Sequence, residues 1–166
     1  MPVQRQLYRE AMSRLGAAVN VITTGSTRSR HGFTASAVCS VTDDPPTVLV
    51  CMNRNSTSRQ EFVVGGPMCV NTLAGHQQEI SAAFASGNVM EERFTGGSWT
   101  TLVTGAPVLE QATASFDGLI TNIVEVGTHS VIFCQIEAVR LGDTEHGLVY
   151  FGRGYHSLIT PGANNP

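Results

Sequence analysis

The chain has 166 residues, of which 42% are hydrophobic and 14% are charged, and its net charge at pH 7 is −3. This length and composition are typical of one globular domain and exclude a disordered chain. All ten basic residues are arginine and they form no cluster, so we expect no nucleic-acid partner. Because no apolar segment reaches signal-peptide or transmembrane length, we expect a cytoplasmic protein that does not enter a membrane.

The N-terminal third has the pattern of a helix followed by hairpins. Apolar residues recur at helical spacing between positions 4 and 18, which predicts an amphipathic opening helix. A polar turn and an Asp-Asp-Pro-Pro break then separate three short runs of small and β-branched residues. These patterns predict strands at 19–24, 32–42 and 47–52, with turns at 25–32 and 43–46.

The remaining two thirds contain further strands and two more helices. Thr57 precedes Gln60 by three residues, as Ser58 precedes Glu61, and this capping-box spacing predicts a short helix that ends at Gly65. Residues 87–107 are rich in loop-forming types, and Gly127-Thr128 marks a hairpin turn. The other predicted elements are strands at 68–73, 115–126, 129–141 and 147–151, and a helix at 76–85.

These elements predict a mainly β fold. Six or seven strands and about three helices occur without βαβ alternation, which favours an antiparallel barrel or sandwich with peripheral helices. No repeat, linker or change of composition divides the chain. We therefore predict a single domain over residues 1–166, with a loose C-terminal tail from about residue 160.

Several chemistries lack their sequence signature. Gly152-Arg153-Gly154 follows a predicted strand but has neither the third glycine nor the βαβ unit of a dinucleotide-binding fold. A phosphate loop needs a lysine, which the chain does not contain. The four cysteines and five histidines show no metal-ligand spacing, so we predict no metal site and interpret the cysteines as buried free thiols.

Four stretches combine residue types that suit a planar, phosphorylated ligand. Small residues at 32–40 leave backbone open to a flat ring, although close strand packing explains them equally well. Hydroxyls at 53–58 precede a predicted helix, where a phosphate or an ordinary N-cap fits. Arg93 beside Phe94 suits bidentate phosphate binding or a solvated surface. Aromatic and basic residues at 150–156 suit ring stacking or cover a barrel end.

Taken in order, these stretches resemble the short-chain flavin reductases of two-component monooxygenases. Within that family they resemble most the reductase components that serve 4-hydroxyphenylacetate 3-monooxygenases, and the resemblance covers nearly the whole chain. The motifs that carry it are AAVNVITT (17–24), TASAVCSVT (34–42) with Pro45-Pro46, CVN (69–71), MEERF (90–94), GTH (127–129) and HGLVYF (146–151).

The resemblance implies a flavin-reductase-like, FMN-binding antiparallel split β-barrel that forms a homodimer. Its cofactors would be FAD or FMN, with NADH or NADPH as the reductant. His129 would take the catalytic role of orienting the nicotinamide. The residues that would bind the flavin and nicotinamide nucleotides are Thr34, Ala35, Ser36, Ala37, Val38, Ser40, Asn53, Ser56, Thr57, Ser81, Ala82, Phe84, Arg93, Phe94, Tyr150, Arg153, Tyr155 and His156.

The implied activity is hydride transfer from nicotinamide to flavin, for which the protein supplies binding, orientation and exclusion of water. Reduced flavin would then leave and serve a separate, aromatic-hydroxylating monooxygenase. Two alternatives stay open. A flavin oxidase of the pyridoxamine-phosphate-oxidase type would oxidise a substrate of its own, and a non-catalytic flavin-binding module would retain flavin without turnover.

Overall fold

The computed structural model of the chain describes residues 1–142 and 146–160. Its helices are α1 (Arg5–Met12), α2 (Gln78–Ala85) and α3 (Met90–Arg93), with 3₁₀ turns at Arg59–Glu61 and Phe94–Gly96. Its strands are β1 (Ala17–Ala18), β2 (Asn20–Ser26), β3 (Ser29–Ala35), β4 (Val38–Asp43), β5 (Pro46–Asn53), β6 (Pro67–Thr72), β7 (Trp99–Thr101), β8 (Pro107–Leu109), β9 (Ala114–Val126), β10 (His129–Leu141), β11 (His146–Phe151) and β12 (Gly154–Ile159).

A seven-stranded antiparallel sheet forms the body of the fold. Its strand order is β3-β2-β6-β9-β10-β5-β4, so β3 and β4 are the two edges. Only Ser36 and Ala37 separate these two strands in the chain, and this short connection brings the two edges of the sheet together at one corner. The sheet therefore curls into an open barrel, which confirms the predicted mainly β, antiparallel split barrel with peripheral helices.

Apolar side chains at alternate strand positions fill the barrel. On β10, for example, Ile132 and Cys134 are buried, whereas the alternating Val131 and Phe133 point to the opposite face and are only partly buried. The interior also receives Phe62, which meets the ring of Phe33 edge-on with 5.4 Å between ring centroids. One face of the main sheet thus packs in the core, and the other is left open along β4, β5, β10 and β9.

A second core lies between α2 and the smaller β1-β11-β12 sheet. Ile80 and Phe84, one turn apart on α2, are both buried in it. Gly32 of β3 allows the helix to approach closely, because a Cβ at this position would lie 2.8 Å from Cε1 of Phe84. Helix α2 is thereby fixed against β3, close to the corner where β3 ends.

The opening helix is shorter than predicted. The amphipathic pattern over residues 4–18 favours a continuous helix, but α1 ends at Met12. Beyond it, Ala17 and Ala18 pair with Tyr150 and Val149 of β11, so sheet pairing replaces the helix there. None of the residues of α1 is buried. Within the described residues, no helix combines the length and apolar character needed to cross a membrane.

Other predicted boundaries shift for reasons of pairing. The strand predicted over 32–42 is two strands, because the chain turns at Ser36, whose carbonyl accepts a hydrogen bond from Val38 N at 3.0 Å. The turn predicted over 25–32 is confined to residues 27–28, since β2 and β3 pair up to Ser26 and Ser29. The predicted loop 87–107 contains α3 and β7, an additional strand follows at 154–159, and the predicted tail beyond residue 160 lies outside the described residues.

The prediction that all four cysteines are buried holds for two of them. Cys69 and Cys134 are fully buried, and burial raises the pKa of the Cys134 thiol to about 12. Cys39 is exposed and Cys51 is partly exposed, because both lie on the open face of the sheet rather than in the barrel. Alternating apolar residues in a strand do not reveal which of its faces is covered.

Candidate active site

A large cavity lies at the corner where β3 turns into β4. Its volume is about 620 Å³, which is within the usual range for sites that bind cofactors. It is surrounded by residues of the β3–β4 turn, the end of β5, the C-terminal end of α2, helix α3 and the start of β10. They are Phe33, Thr34, Ala35, Ser36, Ala37, Cys51, Asn53, Asn55, Ser56, Thr57, Phe84, Ala85, Ser86, Gly87, Arg93 and His129.

Small residues form one end of the cavity. Ser36 and Ala37 are exposed, and their short side chains leave the turn between β3 and β4 accessible to a flat ligand. Thr34 is fixed from behind, since its hydroxyl donates to the carbonyl of Ser81 at 2.6 Å. The Ser81 hydroxyl in turn lies 2.8 Å from that of Tyr155. This end of the cavity is therefore formed by small side chains, is open to solvent, and is supported by α2 and β12.

Hydroxyl and amide groups line the opposite end. Ser56 and Thr57 lie just after β5, next to Asn53 and Asn55, and the side chain of Asn53 accepts a hydrogen bond from Asn55 N at 2.9 Å. The helix predicted after Thr57 is only a 3₁₀ turn of three residues. Its dipole therefore adds little, and hydroxyls and cationic side chains must supply most of the attraction for an anion.

Arg93 brings a buried positive charge to this cavity. Its side chain donates to the carbonyls of Asn88 at 3.1 Å, Gly32 at 3.5 Å and Phe84 at 3.5 Å, and the residue is only 6% exposed. Among the described residues, no carboxylate lies within 4.0 Å of its guanidinium group. A buried charge without a counter-ion is costly, so this position favours an anionic ligand.

Phe94, which follows Arg93, packs among aromatic rings behind the cavity. The Phe94 ring contacts those of Phe84 and Trp99, with centroid distances of 4.8 and 4.9 Å. Arg30 stacks over the other side of Phe94, with its Cζ 4.4 Å from the ring centroid, and forms an ion pair with Glu91. Phe94 therefore supports the cavity from the core and does not line it.

His129 and Cys51 complete the wall on the open side of the sheet. His129 pairs with Asn53 across β10 and β5, and its Nδ1 lies 2.9 Å from the Thr128 hydroxyl. Burial, with a smaller contribution from nearby Cys39, raises the pKa of the Cys51 thiol, so this side chain lines the cavity in its neutral form. Among the described residues, no group of three histidine, cysteine or carboxylate side chains is arranged to hold a metal ion.

A second cavity of about 660 Å³ meets the first at Ser36 and Ala37. It lies between α1 and the β11–β12 hairpin, and its walls include Tyr150 and Arg153. Arg153 has a positive φ of 62° at the tip of this hairpin, and its guanidinium lies 2.8 Å from the carboxylate of Glu10 on α1. A ligand that occupies both cavities would pass over the small residues of the β3–β4 turn.

The flavin reductase-like domain family matches the chain over residues 12–158. The chain belongs to this family. An FMN reductase (NADH) RutF from Stutzerimonas stutzeri is 52% identical over 157 residues, which are 95% of this chain and 90% of that protein. Among solved structures, a candidate flavin reductase from Haemophilus somnus covers 94% of this chain and 100% of its own, with 46% identity and a TM-score of 0.90.

More distant members of the family have the same fold. BorF, the flavin reductase component of a bacterial two-component tryptophan halogenase, is 26% identical and has a TM-score of 0.86, with coverage of 95% of this chain and 99% of that one. Family membership and the flavin reductase fold are thus established. The narrower resemblance to reductases of 4-hydroxyphenylacetate 3-monooxygenases stays a prediction.

The structure brings together predicted residues from five separate parts of the chain in one cavity. Those that line the main cavity are Thr34, Ala35, Ser36, Ala37, Asn53, Ser56, Thr57, Phe84, Arg93 and His129. Tyr150 and Arg153 line the adjoining cavity, and Ser81 and Tyr155 support Thr34 from behind. Their binding roles stay predictions.

The other predicted residues lie away from both cavities. Val38 packs against the barrel core, Ser40 is exposed on the edge strand β4, and Ala82 is exposed on α2. His156 donates a hydrogen bond from Nε2 to the carbonyl of Phe151 at 3.0 Å and is exposed on β12. Two further lining residues, Phe33 and Asn55, fall within the predicted stretches 32–40 and 53–58 without a role of their own. The lining residues outside every predicted stretch are Cys51, Ala85, Ser86 and Gly87; of these, the Ser86-Gly87 pair, which follows a predicted helix, carried a usable signal.

Proposed function

We propose that this chain is an NADH-dependent flavin reductase that binds FMN in the main cavity. The observation that carries the proposal is Arg93, a buried cation without a carboxylate partner among the described residues. It lines a cavity whose opposite end consists of small side chains and leaves room for a flat ring. A molecule with a flat ring at one end and a phosphate at the other matches this arrangement. The family relatives named FMN reductase (NADH) support the same assignment.

The residues present fit both ends of FMN. The exposed backbone and short side chains of Ser36 and Ala37 suit the isoalloxazine, and Ser56, Thr57 and Arg93 supply donors for the phosphate. The two nucleotides, when bound, supply the chemistry of hydride transfer from nicotinamide to flavin. The protein binds both rings and aligns them face to face, which is the contribution expected from proximity and orientation.

The experiment that tests this function is NADH oxidation by the purified protein with FMN, FAD or no added flavin, and without any other substrate. We expect turnover that rises and saturates with added FMN. A lack of turnover with either flavin, under NADH or NADPH, would contradict the proposal. Flavin retention without turnover would then favour a binding module, and turnover that requires another substrate would favour an oxidase of the pyridoxamine-phosphate-oxidase type.

We further propose that reduced flavin leaves this site and serves a separate monooxygenase, which the sequence resemblance suggests is an aromatic-ring hydroxylase. The cavity supports release, because the β3–β4 turn is exposed and leaves the ring end open to solvent. BorF, which has the same fold, is the flavin reductase component of a bacterial two-component tryptophan halogenase, and this supports a separate partner enzyme for the present chain. Oxygenase activity that depends on this reductase when the two proteins are separated by a dialysis membrane would support a diffusible product.

His129 is proposed to orient the nicotinamide at the edge of the cavity. Its ring is held by the Thr128 hydroxyl and faces the cavity from the start of β10. We expect His129→Ala to raise the KM for NADH about tenfold, which corresponds to the loss of one hydrogen bond, and to lower kcat less. His76→Ala, at an exposed position outside both cavities, is the matched control. Wild-type KM and kcat for His129→Ala would remove this role.

The open face of the main sheet is proposed to pair with a second copy of the chain. Leu49, Val131 and Phe133 form apolar neighbours on this face, and exposed Val124 extends it. The same face continues into the main cavity through Cys51, so a second subunit would border the site. Burial of this surface would also cover the edge strand β4, most of which is exposed.

Sedimentation velocity tests the dimer directly. We expect the wild-type protein to sediment as a dimer, and Phe133→Glu to shift it to a monomer with reduced NADH oxidation, because the substitution places a charge in an apolar interface. Val103→Glu changes a residue that is 74% exposed outside this face and provides the control. A wild-type protein that is fully active as a monomer would rule out the dimer.

A further inference from the structure

A smaller cavity lies between the β2–β3 hairpin and the β7–β8 hairpin. Its volume is about 250 Å³, and it shares no lining residue with the main cavity or with the adjoining one. The residues that line it are Thr27, Arg30, Trp99, Thr100, Thr101 and Pro107. A ligand bound here therefore occupies a site of its own, distinct from the proposed flavin site.

Arg30 brings an incompletely paired guanidinium group to this cavity. Its Nη2 donates to the Glu91 carboxylate at 2.7 Å, and its Cζ lies 4.4 Å from the centroid of the Phe94 ring, so the side chain is held in place. Its Nε is buried without a hydrogen-bond partner, and no other buried side-chain nitrogen or oxygen in the described part of the chain lacks one. Because a buried donor without a partner costs free energy, this position favours a ligand that brings an acceptor.

The charged and polar groups on the cavity wall suit a singly charged anion. Glu91 pairs with Arg30 but does not line the cavity, and the lining contains no carboxylate. Thr27 and Thr101 are exposed, so their hydroxyls can donate to a ligand beside the guanidinium. One arginine that already has an acidic partner balances a carboxylate better than a doubly charged phosphate. The two oxygens of a carboxylate also match the fork of donors on a guanidinium.

Trp99 gives the cavity a flat apolar wall. Its indole N–H donates to the carbonyl of Phe94 at 3.0 Å, and its ring packs against those of Phe84 and Phe94, with centroid distances of 5.6 and 4.9 Å. The residue is nevertheless only partly buried, so part of the ring is free to contact a ligand. An apolar cavity of about 150 Å³ holds a benzene ring. The present cavity therefore has room for one aromatic ring and a carboxylate.

We propose that this cavity binds an aromatic carboxylate with a single ring. The ring lies against Trp99, and the carboxylate accepts hydrogen bonds from Arg30 and from the threonine hydroxyls. None of the lining residues belongs to β4, β5, β9 or β10, so the site stays outside the face that is proposed to pair with a second copy. The site is additional to the flavin site and does not depend on it.

Titration of the flavin-free protein with benzoate tests the site through the fluorescence of Trp99, which is the only tryptophan in the chain. We expect a change of fluorescence that saturates with benzoate concentration. Benzamide has the same shape without the charge, and acetate has the charge without the ring. Each should bind about tenfold more weakly than benzoate, as for loss of one contact. A response to benzoate that does not saturate, or that benzamide reproduces at the same concentrations, would overturn the proposal.

Two variants and a matched control locate the bound probe. Arg30→Gln should raise the Kd for benzoate about tenfold, as for loss of one charge-assisted contact. Arg28→Gln removes the same charge from the neighbouring turn, where Arg28 is exposed and lines none of the three cavities, and should keep the wild-type Kd. Thr101→Leu fills the cavity from an exposed position and leaves the contact of Arg30 with Glu91 intact. It should also raise the Kd about tenfold.

Equilibrium dialysis with radiolabelled benzoate distinguishes this cavity from the main one, where Arg93 also attracts anions. Saturating FMN should leave the Kd for benzoate unchanged, because the two cavities share no residue. Displacement of benzoate by FMN would place the probe in the main cavity and overturn the proposal, as would a wild-type Kd in a folded Thr101→Leu protein. If the wild-type protein binds no FMN, the proposed function fails, and the Thr101→Leu comparison still decides whether this site exists.

Discussion

Replacement of Arg93 by glutamine is expected to weaken FMN binding by about a hundredfold. Among the described residues, Arg93 is the only arginine or lysine that lines the main cavity. Hydrogen bonds from a charged group to a phosphate contribute about 1.5–3 kcal/mol each in a partly buried site. The structure holds this charge in place before any ligand arrives, since backbone carbonyls fix the guanidinium. Fluorescence titration of the flavin-free variant measures the loss.

The control for this variant is its stability without flavin. Arg93→Gln removes donors to the carbonyls of Gly32 and Phe84, but it also removes an unpaired buried charge, and these effects oppose each other. We therefore expect a small change of Tm in the flavin-free protein, together with loss of the rise in Tm that FMN produces in the wild type. Wild-type FMN affinity in a folded Arg93→Gln protein would show that the phosphate binds elsewhere.

Replacement of Ala37 by leucine is expected to abolish most flavin reduction, with a fall of about a hundredfold or more in kcat/KM for FMN. Ala37 lies at the ring end of the cavity and also lines the adjoining cavity, so a larger side chain intrudes between the two ligand sites. A displacement of about 1 Å in the alignment of reacting groups is enough for an effect of this size. Steady-state NADH oxidation at varied FMN concentration measures it.

Stability distinguishes this blockage from misfolding. Ala37 is exposed, so the leucine variant should keep its free energy of unfolding within about 0.5 kcal/mol of the wild type. Ala11→Leu introduces the same change at an exposed position of α1 that lines neither cavity, and it should leave turnover intact. If Ala37→Leu reduces FMN at the wild-type rate, the isoalloxazine does not lie on the β3–β4 turn.

The fold was largely predictable from local patterns, and the errors arose where pairing overrides them. Turn residues and alternating strands located the long β9–β10 hairpin correctly, because Gly127 and Thr128 leave only one place for the turn. The end of α1 could not be predicted, since Ala17 and Ala18 have no strand pattern and pair only because β11 lies beside them. The break at Ser36 is equally invisible, as it depends on β3 and β4 lying at opposite edges of one sheet.

Sequence analysis predicted those parts of the candidate site that lie in motifs of adjacent residues. The segments around Thr34, Ser56 and Arg93 belong to such motifs, and the structure places all three on one cavity. Cys51 was missed because its role depends on which face of β5 is open, and strand alternation does not reveal that. The resemblance implies a ligand contact for Phe94 as well as for Arg93, but adjacent positions point in different directions, and the Phe94 ring packs in the core.

The most direct measurement of the central claim is anaerobic mixing of the protein with NADH and a large molar excess of FMN over protein, followed through the visible absorbance of oxidised flavin. We expect all of the added FMN to be bleached over many turnovers, with one NADH consumed for each flavin, because the site binds, reduces and releases it. Bleaching that stops after one equivalent of flavin per site would contradict release. No bleaching at all would contradict the assignment of this chain as a flavin reductase.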